Sequence, residues 1–122
     1  MNKTALIVLV GILLLLGDSV LATPPDSIKV SFDTTGIGLM TVQIFHQVKN
    51  PATHFIYQVA VTLNGKLIIQ QTIGKQFSNS EQVLVYELID AKKGDKIDVT
   101  GTCNIMGKKT QEFIAPGAKI KQ

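Results

Sequence analysis

An all-β fold is what the sequence predicts. Three observations carry it. Short stretches of alternating apolar and polar residues recur along the chain, and turn signals separate them at roughly 8–12-residue intervals. Beyond residue 22, no stretch keeps the apolar period of about 3.6 residues that marks an amphipathic helix. About seven such stretches in some 90 residues point to an immunoglobulin-like β-sandwich.

The chain opens on Lys3 and an apolar run, Ala5 to Leu16, broken only by Gly11 and followed by Asp18 and Val20-Leu21-Ala22. A positive start, an apolar run of about 7–15 residues and a small residue at the cut form a secretory signal peptide. A membrane-spanning helix needs about 20 apolar residues, and Asp18 interrupts sooner. Residues 1–22 are thus expected to be removed after Ala22. The mature protein would have 100 residues, a one-domain length, and lie in the periplasm or outside the cell. If uncleaved, the same segment would be a membrane anchor. No cysteine follows the run, so no lipid-modified terminus is expected.

Residues 23–27 form an extended lead-in, because Pro24-Pro25 forbids helix. The sandwich is expected over 28–115. Ile28, Val30 and Phe32 alternate with Lys29 and Ser31, the pattern of a half-buried strand. Asp33-Thr34-Thr35-Gly36 turns the chain. Leu39 to Val48 is the second strand, with Val42, Ile44, His46 and Val48 on one face, and Asn50-Pro51 ends it. Phe55 to Leu63 follows, with Phe55, Tyr57, Val59, Val61 and Leu63 on one face. Asn64-Gly65 is a hairpin signal, because a tight I′ turn requires positive φ at both central residues. Lys66 to Ile73 returns. Ser78-Asn79-Ser80 leads into Gln82 to Leu88, and Lys93-Gly94-Asp95 turns into Lys96 to Asn104, with Ile97, Val99 and Cys103 on one face. Thr110 to Ile114 closes the domain, and 116–122 is a polar tail.

Composition narrows the function classes. The 12 basic residues are all lysine, tryptophan is absent, and the net charge is +3. Readers of nucleic acid rely on arginine for bidentate contacts to bases and phosphates, so a nucleic-acid partner is not expected. A single cysteine, Cys103, rules out an internal disulfide and leaves a free thiol, an intermolecular bridge or a metal ligand. No nucleophilic triad, Gly-rich phosphate loop, pair of catalytic acids or dinucleotide fingerprint is present, which sets aside hydrolase and transferase chemistry.

Few side chains remain that can carry chemistry. His46 and His54 flank a strand–loop–strand connection, and Cys103 ends a later strand. Two imidazoles and a thiolate form a partial metal shell suited to iron, copper or zinc, and Met106 offers a weak thioether three residues after Cys103. Each residue also has a plainer reading. His46 on an apolar face is often a hydrogen-bonded core histidine. His54 can cap its loop or be solvated. A lone inward cysteine behaves as a small hydrophobe, and Met106 can simply pack.

Two segments resemble desulfoferrodoxin and superoxide reductase iron domains. His54-Phe55-Ile56, followed by Val59 to Leu67 with its Asn64-Gly65-Lys66 turn, is similar to the strand pair after that family's histidine loop. Lys93-Gly94-Asp95-Lys96-Ile97, followed by Cys103-Asn104-Ile105-Met106-Gly107, resembles its closing Cys-Asn-x-His-Gly motif. The resemblance covers Ile28 to Ile114. It implies a sandwich holding one mononuclear iron, ringed by four histidines with an axial cysteine thiolate, that passes an electron to superoxide from an external donor. His54 matches a ring histidine and Cys103 the axial thiolate. His46 has no strict match, because the family's loop histidine corresponds to Asn50, and the final histidine is Met106 here. The resemblance therefore implies an oxidoreductase with His54 and Cys103 as metal ligands, and donor chemistry adds His46 and Met106 to the expected set. Iron is the expected cofactor, and copper is the alternative for an altered donor set. A sandwich that has lost the metal is the non-catalytic alternative.

Overall fold

A computed structural model describes residues 23–33 and 38–116. The expected signal peptide, most of the Asp33–Gly36 turn and most of the polar tail lie outside the described residues. The described residues contain seven strands and no helix: β1 (Ser27–Phe32), β2 (Leu39–Phe45), β3 (Ile56–Leu63), β4 (Lys66–Thr72), β5 (Glu81–Glu87), β6 (Lys96–Cys103) and β7 (Lys108–Ile114). They form two antiparallel sheets, β1-β2-β5 and β4-β3-β6-β7. The chain crosses between sheets after β2, β4 and β5, as in an immunoglobulin-like sandwich.

Period-2 alternation builds the core. Ile28 pairs with Ile44, and Val42 with Leu84, on the inner face of the three-stranded sheet. Val61 pairs with Val99 on the opposing face. With Met40, Ile56, Val59 and Ile97, these side chains make one buried cluster. Fully burying each contributes about 1.5–3 kcal/mol. Gly101 lets the sheets approach: a Cβ there would sit 2.8 Å from Cδ1 of Ile44. Asn64 (φ 49°) and Gly65 (φ 84°) both take positive φ, the geometry of the expected I′ hairpin.

Two strands depart from expectation in ways that shape one end of the sandwich. The second strand stops at Phe45, short of the expected Val48. Beyond it the backbone bonds to a loop instead: His46 N–H to the Ser80 carbonyl (2.9 Å) and Val48 N–H to that of Asn79 (2.7 Å). His46 and Val48 therefore stay buried. In β3, a register shift against β6 falls between Ile56 and Gln58. It reverses the facing at the strand's start, so Ile56 is fully buried and Tyr57 is exposed. The expectation that Phe55 and Tyr57 share the inner face with Val59 is corrected by this bulge, which lets an extra residue in and turns the alternation over.

Candidate metal centre

At the end of the sandwich where β2 stops, β3 begins and β6 finishes, the two histidines and the cysteine meet. Gln76 holds His46, and Asn104 joins the segments that carry His54 and Cys103. His46, fully buried, directly follows β2. Its Nδ1 lies 2.8 Å from Oε1 of Gln76, and its Nε2 lies 2.8 Å from the carbonyl oxygen of Thr23. Gln76 is itself buried, with its amide orientation dictated by backbone partners. Oε1 accepts from Ile56 N–H (3.2 Å), while Nε2 donates to the carbonyls of His46 (2.8 Å) and Ser78 (2.9 Å). Oε1 is therefore an acceptor facing His46, and Nδ1 carries the proton. Nε2 also faces an oxygen that can only accept.

The His54 and Cys103 segments are stapled together by Asn104. Its Oδ1 accepts from Phe55 N–H (2.9 Å), its backbone N–H donates to the Phe55 carbonyl (2.9 Å), and its Nδ2 donates to the Thr53 carbonyl (3.0 Å). The Asn104 side chain and backbone thus continue the β3–β6 pairing past its last strand bond and bring His54 alongside Cys103. The loop beyond Cys103 curls back on it. Cys103 N–H donates to the Gly107 carbonyl (3.0 Å), Gly107 takes φ +84°, and Ile105 N–H points at Cys103 Sγ (3.4 Å). That last contact places a donor where a thiolate gathers charge.

A ring nitrogen of His46, one of His54 and Sγ of Cys103 all lie within 4.8 Å of one another. The two rings meet edge to face, with centroids 4.7 Å apart and planes at 87°. Nε2 of His54 is buried with no hydrogen-bond partner among the described residues, a rare state for a buried polar atom and one that requires a cause. Burial lowers the His54 pKa below its ordinary value and the neighbouring His46 lowers it further, while the Thr23 backbone pulls the other way. The shift favours the neutral imidazole, the form that ligates metals. Met106 sits on the loop after Cys103 with 57 % of its surface exposed.

The donor chemistry is two imidazole nitrogens and one thiolate sulfur, a set that suits copper, iron or zinc. Bonds of about 2.0–2.3 Å from one ion place neighbouring donors about 3.4–3.6 Å apart, so closing the group on an ion requires the donors to draw in modestly. A ring of four histidines is not available, since the chain has two. Sequence reasoning named His46, His54 and Cys103 but not Gln76 or Thr23, because a lone glutamine in a loop and a residue in a lead-in carry no pattern. Asn104 stood inside the Cys103–Gly107 run, and in the structure it bonds Thr53 and Phe55. Among the described residues, no helix is long and apolar enough to cross a membrane. No protein-family model, curated protein or solved structure matches the chain.

Proposed function

We propose that this chain is an exported metal-binding redox domain akin to superoxide reductase, with a reduced donor set of His46, His54 and Cys103. The observation that carries the reading is the buried, unpartnered Nε2 of His54 in a group that also contains a second imidazole and the only thiol. An ion there gives that nitrogen the partner it lacks.

The surrounding residues support the same reading. Gln76 holds Nδ1–H of His46, the outer-shell contact that orients a metal-binding imidazole and leaves Nε2 for the ion. The Thr23 carbonyl that faces Nε2 belongs to an exposed lead-in residue, so an ion taken up by Nε2 would lie against that oxygen. Ile105 N–H stabilises charge on sulfur, and Asn104 keeps His54 against Cys103. Bound iron or copper supplies one-electron exchange at this end of the sandwich, with the thiolate donating electron density to the ion. Superoxide is the expected oxidant, and a separate electron donor completes the cycle. Met106, on the adjoining loop, is a further thioether donor in this proposal.

Anaerobic loading with ferrous iron, and separately with copper, tests the reading. One ion per chain is expected, with a visible thiolate-to-metal absorption band that disappears in Cys103→Ser. Absence of stoichiometric metal under both conditions defeats it. A second reading rests on a specific observation: both ring nitrogens of His46 already have oxygen partners. On that reading the protein is a non-catalytic envelope module and His46 is a structural core residue. It predicts no metal uptake and no functional defect in Cys103→Ser or His54→Gln.

A further inference from the structure

We propose that the α-amino group exposed by removal of residues 1–22 is an additional donor at this site, chelating the ion together with the carbonyl oxygen of Thr23. The inference rests on the metal-binding reading above and on cleavage after Ala22.

The placement of Thr23 carries it. Its carbonyl oxygen is 2.8 Å from Nε2 of His46, and the His54 ring meets that of His46 edge to face with centroids 4.7 Å apart. The residue thus lies at the histidine pair. Backbone geometry holds a residue's own nitrogen within roughly 2.7–3.6 Å of its carbonyl oxygen, so the α-nitrogen of Thr23 is within reach of an ion bound at that oxygen.

The lead-in is fastened there along its length. Thr23 Oγ1 donates to the Gln47 carbonyl (3.4 Å), and Asp26 N–H donates to that of Phe45 (2.8 Å). Pro25 is buried. Pro24 packs so closely on the Cys103 loop that a Cβ at Gly107 would lie 2.5 Å from its own Cβ. The terminus is therefore tied to both the histidine strand and the cysteine loop.

The chemistry of the peptide bond makes processing decisive. Joined to Ala22, the Thr23 nitrogen is an amide, its lone pair delocalised into the carbonyl, and a poor donor. Once cut, it becomes an amine that releases its ammonium proton to solvent as it ligates. Amine nitrogen and carbonyl oxygen close a five-membered chelate ring. With His46, His54 and Cys103 they raise the donor set from N2S to N3OS, five donors where the side chains in the group supply three. Tight metal loading is then a property of the exported, processed protein and not of its precursor.

The experiment compares two full-length chains, each exported and processed. One is the natural sequence, with Thr23 confirmed as the first residue by intact mass. The other carries one glycine inserted between Ala22 and Thr23, which moves the amine by about 3.8 Å and leaves every side-chain donor in place. Cobalt(II) alone is the probe, with affinity read by chelator competition. Transamination of the natural terminus, which converts the amine to a carbonyl, is a third sample.

At least tenfold tighter binding is expected for the natural terminus than for the extended or transaminated one, with the thiolate band present in all three. Equal affinity in all three overturns the amine proposal and leaves the His46–His54–Cys103 reading standing. No binding by any sample overturns both. A mature terminus other than Thr23 overturns the amine proposal alone.

Discussion

Nδ1 of His46 lies 2.8 Å from Oε1 of Gln76, and Nε2 of the same amide donates over 2.8 Å to the carbonyl of His46, thirty residues away in sequence. One buried side chain thus grips both the ring and the backbone of a histidine just past the end of its strand. The same amide also bonds Ile56 and Ser78, so it ties the start of β3 and the loop before β5 to the end of β2.

Replacing Gln76 by Ala is expected to strand Ile56 N–H and the ring nitrogen of His46 in the interior. Each buried polar group left unpaired costs about 1–3 kcal/mol, so a loss of about 2–4 kcal/mol is expected in a urea titration. A loss below about 0.5 kcal/mol would mean that water replaces the amide without penalty.

Asn104→Ala is expected to act differently. Asn104 is exposed, so its lost bonds to Phe55 and Thr53 cost about 1 kcal/mol. The larger consequence falls on the site, since His54 is no longer held against Cys103. Metal affinity is expected to drop about 10–100-fold, the range for outer-shell partners of a ligand, as read by chelator competition. Unchanged affinity would show that the turn holds His54 without the staple.

The depressed His54 pKa gives the metal-free protein a pH dependence with a definite sign. The folded state resists protonating this ring, while the unfolded chain takes the proton near the ordinary value of 6.5. Between those two values the unfolded state binds more protons, so stability falls as pH drops below about 6.5 and through the lowered folded pKa. Denaturation midpoints from about pH 7.5 to about pH 5 should decline in the natural protein and flatten in His54→Gln. Parallel declines in both proteins would place the effect elsewhere.

Two glycines should respond to alanine for different reasons. In Gly101→Ala, the new methyl meets the tip of fully buried Ile44, and overpacking of that kind costs about 1–3 kcal/mol. In Gly107→Ala, the backbone is in the left-handed region and the methyl strikes Pro24, so the lead-in is pushed off the cysteine loop. Thermal melting should record the first. The second should appear chiefly as weaker metal binding, because it displaces Thr23 from His46. A Gly107→Ala protein with native affinity would separate the lead-in from the site.

Strand pattern and hairpin chemistry were legible from the residues. Val42, Ile44, Val59, Val61, Ile97 and Val99 alternate with less buried neighbours and are all fully buried, and Asn64-Gly65 makes the turn its φ preferences demand. The start of β3 was not legible. Phe55-Ile56-Tyr57 is apolar throughout, so no alternation says which of the three points inward. Pairing of Ile56 with Cys103, followed by the shift before Gln58, decides it.

The sequence by itself determined that the chain folds as strands, which residues most of those strands bury, and that His46, His54, Cys103 and Met106 were the soft candidate ligands to expect. Those are consequences of local periodicity and of residue chemistry, and both are written along the chain. Tertiary structure alone decided that two rings and a thiol share one end of the sandwich, that Gln76 and Asn104 hold them there, and that Thr23 lies across His46. Such contacts join residues 20 to about 50 positions apart, and their partners are loop amides and carbonyls. A glutamine, an asparagine or a backbone oxygen has no pattern that names its partner until the sheets have packed and set the distance between them.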